Sequence, residues 1–189
     1  MTTTALPRRE QILGTAADLF ARRGFHGVSV SDIGAACGIS GPALYKHFAS
    51  KDAVLAEMLV SISERLLGDG GRRVADAKDP VAGLRALIDF HVDFALAHPA
   101  LIVVQERDWS SLPDDARDQV RTLQRSYVDL WAAQCREVDP ALGPAEARAR
   151  AHAVFGLINS TPHSALLPTA EMAALLRRMV EGALGLAGA

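Results

Sequence analysis

Ser29–Phe48 reads SVSDIGAACGISGPALYKHF, and its punctuation decides the fold. Ser29 is a good N-cap, and Asp32, three residues on, can reach back to the cap's own N–H. Ile33, Ala36 and Cys37 then share one helical face at i, i+3 and i+4. Gly38 stops that helix, because glycine accepts the left-handed backbone of a sharp turn. Ile39 is the apolar residue inside the turn. Ser40 caps a second helix, expected over residues 41–47, and Pro42 lies in its first turn, where a missing N–H costs nothing. Two short helices about a glycine turn make a helix-turn-helix.

The residue types of the second helix suit a groove. The major groove of DNA is about 12 Å wide, so the leading residues of an entering helix must be small. Gly41, Pro42 and Ala43 are small. Ser29, Ser40, Tyr45, Lys46, His47 and Lys51 can donate to phosphates around it. The plainer alternative, a helical hairpin buried in a core, would not gather Tyr45, Lys46 and His47 on one short turn.

Working outward, residues 1–6 are expected to form a loose arm. Pro7 opens a first helix with Ile12, Ala16, Leu19, Phe20 and Arg23 at helical spacing, and Gly24 ends it. Arg8 and Arg9 suit either a solvated helix end or an arm reaching the DNA backbone or minor groove. Ser50 caps a fourth helix, with Asp52 at its positive end. Leu55, Leu59, Ile62 and Leu66 line its face, and Gly68, Gly70 and Gly71 suggest that it breaks there.

Asp79-Pro80 starts a fifth helix, with Leu84, Leu87, Ile88, His91 and Phe94 on one face. His98-Pro99 separates it from a sixth, in which the apolar run 101–104 reads as buried helix because every neighbour is helical. Pro113 begins a long seventh, Gly143-Pro144 an eighth that Pro162 ends or kinks, and Pro168-Thr169 a ninth. The closing GLAGA is expected to fray. The sum is an all-α chain of nine helices with no convincing strand, in which a three-helix N-terminal head (residues 1–52) precedes a helical body (53–189).

Composition agrees. Of 189 residues, 49% are apolar, enough for a packed core. The net charge of −2 hides an asymmetry: residues 1–52 carry +2 and the remainder −4. A mildly basic head on an acidic body suits phosphate contact by the head. Two cysteines, Cys37 and Cys135, are too few for a disulfide framework, which fits a reducing cytoplasm. No apolar run reaches the roughly 18 residues of a membrane span, so no membrane partner is expected. No metal-ligand spacing, phosphate loop or nucleophile motif is present, and no enzyme activity, metal or cofactor is expected. Gly38-Ile39-Ser40-Gly41-Pro42 only approaches G-x-S-x-G, without its last glycine or a preceding strand.

The residues Ala16 to Phe20, Gly24, Phe25, Val30, Ile33, Ala36, Gly38, Ser40, Leu44, Tyr45, His47, Phe48, Ser50-Lys51-Asp52 and Leu55 resemble the DNA-binding domain of TetR/AcrR-family transcriptional regulators. Cys37 stands where that family usually has alanine, and Ser29 where it often has threonine. The resemblance implies a homodimer on a palindromic operator, joined through the last two helices of each chain. Their many small residues (Ala147, Ala149, Ala151, Ala153, Gly156, Ala173, Ala174, Ala183) suit such packing. It also implies a small hydrophobic effector held among the helices between Pro80 and His163. Candidate contacts are Phe90, His91, Phe94, Ile102, Arg107, Trp109, Tyr127, Trp131, Phe155, Asn159 and His163. Taken singly, each also suits an ordinary core or surface role. The run from Glu106 to Trp131 is similar to one branch of the family, regulators of acyl-CoA and fatty-acid metabolism. A cationic or aromatic drug is the alternative effector, for which Asp89, Asp93 and Asp129 supply acids. A DNA-binding architectural protein without any effector is the alternative from another class.

Overall fold

The computed structural model describes residues 7–186, so the expected arm at 1–6 lies outside the described residues. Ten α-helices follow in order: α1 (Arg8–Arg23), α2 (Val30–Ala36), α3 (Gly41–Leu44), α4 (Lys51–Ala75), α5 (Pro80–Ala97), α6 (Pro99–Arg107), α7 (Asp114–Val138), α8 (Pro144–Asn159), α9 (Thr161–Ser164) and α10 (Thr169–Ala183). A 3-10 turn covers Trp109–Ser111. No strand occurs among the described residues. The nine expected helices are all present; the addition is α9, a single turn that begins where Pro162 suggested an end or a kink.

Two expectations are corrected. α4 does not break at its glycines but runs unbroken for 25 residues. Packing outweighs propensity here: a Cβ on Gly70 would meet Tyr127 at 2.8 Å and Leu87 at 3.2 Å, so Gly70 admits neighbours rather than stopping the helix. Of the closing GLAGA, expected to fray, Gly185 and Leu186 are held against α10, and residues 187–189 lie outside the described residues. Leu186 is buried, and its N–H donates to the Glu181 carbonyl at 2.8 Å, closing α10 with a glycine cap.

The chain forms two compact units. One runs to Ser61 and takes in Ala100–Gln119; the other is Ile62–Pro99 with the chain from Val120. Ala100–Gln119, placed by sequence in the body, therefore packs with the N-terminal segment. The first unit buries Ile12, Ala16, Phe20, Phe25, Ile33, Leu44, Phe48, Leu55 and Val104. In the second, α5, α8 and α10 pack on one another over Leu84, Leu87, Ile88, Val154, Ile158, Leu176 and Val180. Gln134 ties α7 to the start of α5 by donating to the Pro80 carbonyl at 2.9 Å. No single helix among the described residues is long and apolar enough to cross a membrane.

Candidate nucleic-acid interface and effector region

Local chemistry builds the helix-turn-helix as its sequence foretells. The Ser29 hydroxyl accepts from the Asp32 N–H at 3.1 Å, and the Asp32 carboxylate accepts from the Ser29 N–H at 2.8 Å, completing a capping box. That bonding, first with the hydroxyl and then with the backbone N–H of Ser29, lowers the Asp32 pKa. α2 ends in a Schellman motif: Ile39 N–H donates to the Gly34 carbonyl at 2.9 Å, Gly38 N–H to the Ala35 carbonyl at 3.0 Å, and Gly38 adopts φ 67°. Gly34, which the sequence reading passed over, lets the turn close, since a Cβ there would sit 2.9 Å from the Ile39 carbonyl oxygen.

Ser40 caps α3, accepting from Ala43 N–H at 3.3 Å. α3 is shorter than the expected 41–47. After Leu44 the chain tightens into i→i+3 bonds, with His47 N–H donating to the Leu44 carbonyl at 2.8 Å. Leu44 is buried and anchors this turn. Ser40, Pro42 and Lys46 are exposed, Tyr45 is 56% exposed, and Gly41, Ala43 and His47 are half-buried. A Cβ on Gly41 would meet nothing nearer than the Ser31 hydroxyl at 3.5 Å, an ordinary contact. No intramolecular clash therefore demands glycine at this position.

Other expected DNA contacts point inward. The Lys51 ammonium donates to the carbonyls of Phe25 at 2.8 Å and Val28 at 2.9 Å, over the Phe25 ring. The Ser29 hydroxyl is held by Asp32. Arg8 donates to the Cys37 carbonyl, and Arg9 pairs with Glu57 while lying over Phe48. These arginines serve the first unit's own packing rather than a free arm. Hydrogen bonding with Glu57 holds the Arg9 pKa up.

The candidate effector residues divide between the units. Ile102, Arg107 and Trp109 belong to the first. There Ile102 is buried, and Arg107 donates to the Phe20 and Ala21 carbonyls at the end of α1. Asp108 beside it is buried and accepts from the Phe25 N–H at 3.3 Å and from Arg107. Trp109 is half-buried in the 3-10 turn. Arg107 thus caps a helix of its own unit.

In the second unit six candidates come together: His91 and Phe94 from α5, Tyr127 and Trp131 from α7, Phe155 and Asn159 from α8. The His91 ring lies 4.9 Å from Phe155, 5.7 Å from Tyr127, 5.9 Å from Phe94 and 6.0 Å from Trp131. Its Nε2 faces the Asn159 Oδ1 at 3.2 Å, and its Nδ1 faces the Tyr127 hydroxyl at 3.5 Å. Burial pushes the His91 pKa down to about 4, against a smaller opposing pull from Asn159, so the ring is neutral. Burial likewise raises the Tyr127 phenol well above its usual range.

Phe90 stands apart from this cluster, under the Arg73 guanidinium at 4.2 Å. His163 is exposed on α9. A surface groove of about 520 Å³ between α5 and α10, lined by Asp93, Leu96, Ala97, Thr169, Ala170, Ala173 and Arg177, includes none of the candidates. The acids proposed for a cationic ligand are engaged: Arg177 bonds Asp89 and Asp93, each at 2.6 Å, and Arg148 pairs with Asp129.

Two family models match this chain. Residues 12–58 match the one described as bacterial regulatory proteins, tetR family, and residues 77–163 match the tetracyclin repressor-like C-terminal domain. The chain belongs to the TetR family. Its TetR-family relatives include the HTH-type transcriptional repressor KstR2 of Rhodococcus jostii (strain RHA1), 31% identical over 125 residues, 66% of this chain and 61% of KstR2. The chain thus spans about three fifths of the length of that curated relative. A TetR-family transcriptional regulator from Bordetella parapertussis 12822 has a TM-score of 0.84 at 25% identity, over 95% of each chain. FadR from Bacillus subtilis, solved with stearoyl-CoA, shares the TetR fold with a TM-score of 0.69 at 15% identity, over 90% of this chain and 96% of that one.

Proposed function

We propose that this TetR-family protein is a ligand-responsive transcriptional repressor. Residues 1–52 form the DNA-binding head, and residues 53–189 bind the effector and dimerise. The observation that carries this reading is the outward surface around α3. Leu44 is buried while Ser40, Pro42, Tyr45 and Lys46 are exposed, and Gly41 has no intramolecular reason to be glycine. A small-residue entry flanked by a phenol, an ammonium and a hydroxyl suits a major groove and its phosphates. Ser40, Gly41, Pro42, Ala43, Tyr45, Lys46 and His47 are the contacts. Ser29 and Lys51 hold the element in shape.

One such element makes few contacts, and a two-fold dimer doubles them on a palindromic operator, with heads about 34–36 Å apart. α8 and α10 supply the dimer surface. Ala147, Ala151 and Ala173 are buried, whereas Ala149, Ala153, Gly156, Ala174 and Ala183 are exposed, as is Met179 at 47%. Small exposed residues let a second pair of helices approach closely. The effector is a hydrophobic small molecule, an acyl-CoA or related lipid metabolite. Supporting this class are the aromatic cluster around His91 and the stearoyl-CoA bound by FadR. The pairing of Asp89, Asp93 and Asp129 with arginines weighs against a cation. A ligand that favours a head spacing other than the operator's shifts the dimer off DNA through its differential affinity. The protein works in the cytoplasm, where its DNA lies.

The test is binding to the DNA upstream of its own gene, at about 0.15 M salt, with and without a series of acyl-CoAs. Tight binding released by one chain length supports both halves of the reading. Tight binding indifferent to all of them removes the ligand class. Weak binding alike on every sequence favours the architectural alternative.

A further inference from the structure

The helix-turn-helix, residues 29–48, contains no arginine, asparagine, glutamine or glutamate. Those types, with lysine and aspartate, read guanine, adenine and cytosine in the major groove by hydrogen bonds, often in pairs. Asp32, the one aspartate of the element, is engaged in the Ser29 capping box. The Ser40 hydroxyl already accepts the Ala43 N–H at 3.3 Å. Lys46 is therefore the one long hydrogen-bonding side chain of this element that stands exposed.

Pro42 takes the place a base-reading side chain would hold. Leu44 is 1% exposed, and a residue two positions earlier on a helix points to the opposite side, where Pro42 is exposed. Ala43 flanks it, half-buried. Backbone bonds set this turn: the Leu44 N–H donates to the Ser40 carbonyl at 3.2 Å, and the Lys46 N–H to the Ala43 carbonyl at 3.3 Å. The proline ring has no N–H to offer and no rotamer freedom to lose. It is a rigid apolar knob among the exposed hydroxyl, phenol and ammonium of Ser40, Tyr45 and Lys46. Thymine alone presents an apolar group, its C5 methyl, on the major-groove edge. Against that methyl the ring removes apolar surface from water. Against the other bases it would cover a donor or acceptor and leave it unpaired, which is unfavourable. Attraction at thymine and penalty elsewhere act in the same direction.

We infer that this protein tells its operator from other DNA by thymine C5 methyl groups set against Pro42 and Ala43, and not by paired hydrogen bonds to base edges. Lys46 holds phosphate and contributes affinity without sequence preference. Each half-site therefore carries one or two thymines whose methyls face α3. This rests on the reading of α3 as the element that enters the groove, and adds to it the feature of the bases that is recognised.

The experiment selects duplexes from a random pool with the full chain, at about 0.15 M salt. Each enriched thymine is then replaced singly by deoxyuridine, which pairs as thymine does and lacks only the methyl. One or two positions in each half-site should weaken binding about fourfold when replaced, the worth of one buried carbon group, and the other positions should be silent. Pro42→Ser exchanges the ring for a hydroxyl and should flatten the uracil effect at one of those positions. The uracil series on the wild type decides the matter even if that variant fails to fold. Lys46→Ala should weaken all duplexes yet enrich the same sequences. Enriched duplexes in which no uracil replacement matters overturn the thymine assignment and leave the regulator standing. So does a Lys46→Ala chain that loses a guanine preference shown by the wild type. A pool without enrichment, every duplex held alike, sinks the sequence-specific repressor and the thymine assignment with it.

Discussion

The Lys51 ammonium lies 2.8 Å from the carbonyl oxygen of Phe25 and 4.2 Å from the centroid of its ring. A side chain that sequence alone assigns to a DNA phosphate is therefore a brace inside the head. Lys51→Ala should destabilise the head by about 2 kcal/mol, the worth of charge-assisted hydrogen bonds at a half-buried site. Lys46, exposed and without an ion pair among the described residues, should behave oppositely. Lys46→Ala should leave denaturant unfolding unchanged while weakening every DNA sequence alike and reducing the salt slope by about one. Unchanged unfolding of Lys51→Ala with lost DNA affinity would return Lys51 to the phosphate.

Gly41 offers a separation of fold from function. Alanine there fits, with its nearest contact at 3.5 Å, and should raise stability by about 0.5–1 kcal/mol. Operator affinity should nonetheless fall about tenfold, because the added methyl meets the groove wall. Gel-shift titration beside thermal melting reads both; undiminished affinity would remove α3 from the groove.

The glycines of α4 should respond differently from one another. Gly70→Ala puts a methyl against Tyr127 and Leu87 and should cost about 1–3 kcal/mol by overpacking. Gly68 and Gly71 have nothing within 4 Å, so alanine at either should stabilise by about 0.5–1 kcal/mol. A series of melting curves decides; the three behaving alike would contradict the packing at Gly70.

His91 makes stability depend on pH. Its folded pKa of about 4 lies below the unfolded value near 6.5, so between those values only the unfolded chain holds the proton. Stability is therefore full above about pH 6.5 and is lost as pH falls toward 4. Between pH 7 and pH 5 this one group should remove about 2 kcal/mol. Urea unfolding at both pH values should show that loss, and His91→Gln should abolish most of it. An equal loss in the variant would assign the acid limb to other groups.

Asp108 is buried between Arg107 and the Phe25 N–H. Asp108→Ala leaves that N–H unpaired and frees the Arg107 head, and should cost about 2–3 kcal/mol. Arg107→Ala, whose side chain is more exposed, should cost less. Paired denaturation curves check the order, and the reverse order would mean that capping α1, not satisfying Phe25, is the larger contribution.

Much of the head is legible because its instructions are short. The Ser29–Asp32 box, the Gly38 turn and the Ser40 cap each join residues three to five apart, so spacing alone specifies them. Lys51 reaches Phe25 across 26 positions, and Arg107 reaches Phe20 across 87. Nothing local distinguishes such a cation from one that faces solvent or DNA. The effector candidates show the same limit. The family resemblance offered eleven candidate positions between Pro80 and His163, and packing drew six of them into one cluster.

The sequence by itself determined that this chain is helical, where nearly every helix begins, and that a helix-turn-helix stands near its start. Caps, first-turn prolines and apolar periodicity act within a turn or two, so they are written directly in residue order. Tertiary structure decided the rest. It carried α4 through its glycines, because Gly70 makes room for Tyr127. It turned Lys51, Arg9 and Arg107 inward onto carbonyls and carboxylates. It set His91, Tyr127, Trp131 and Asn159 around one buried, neutral point. Those outcomes depend on which distant segments share a core, and burial then fixes which polar groups must find partners within it.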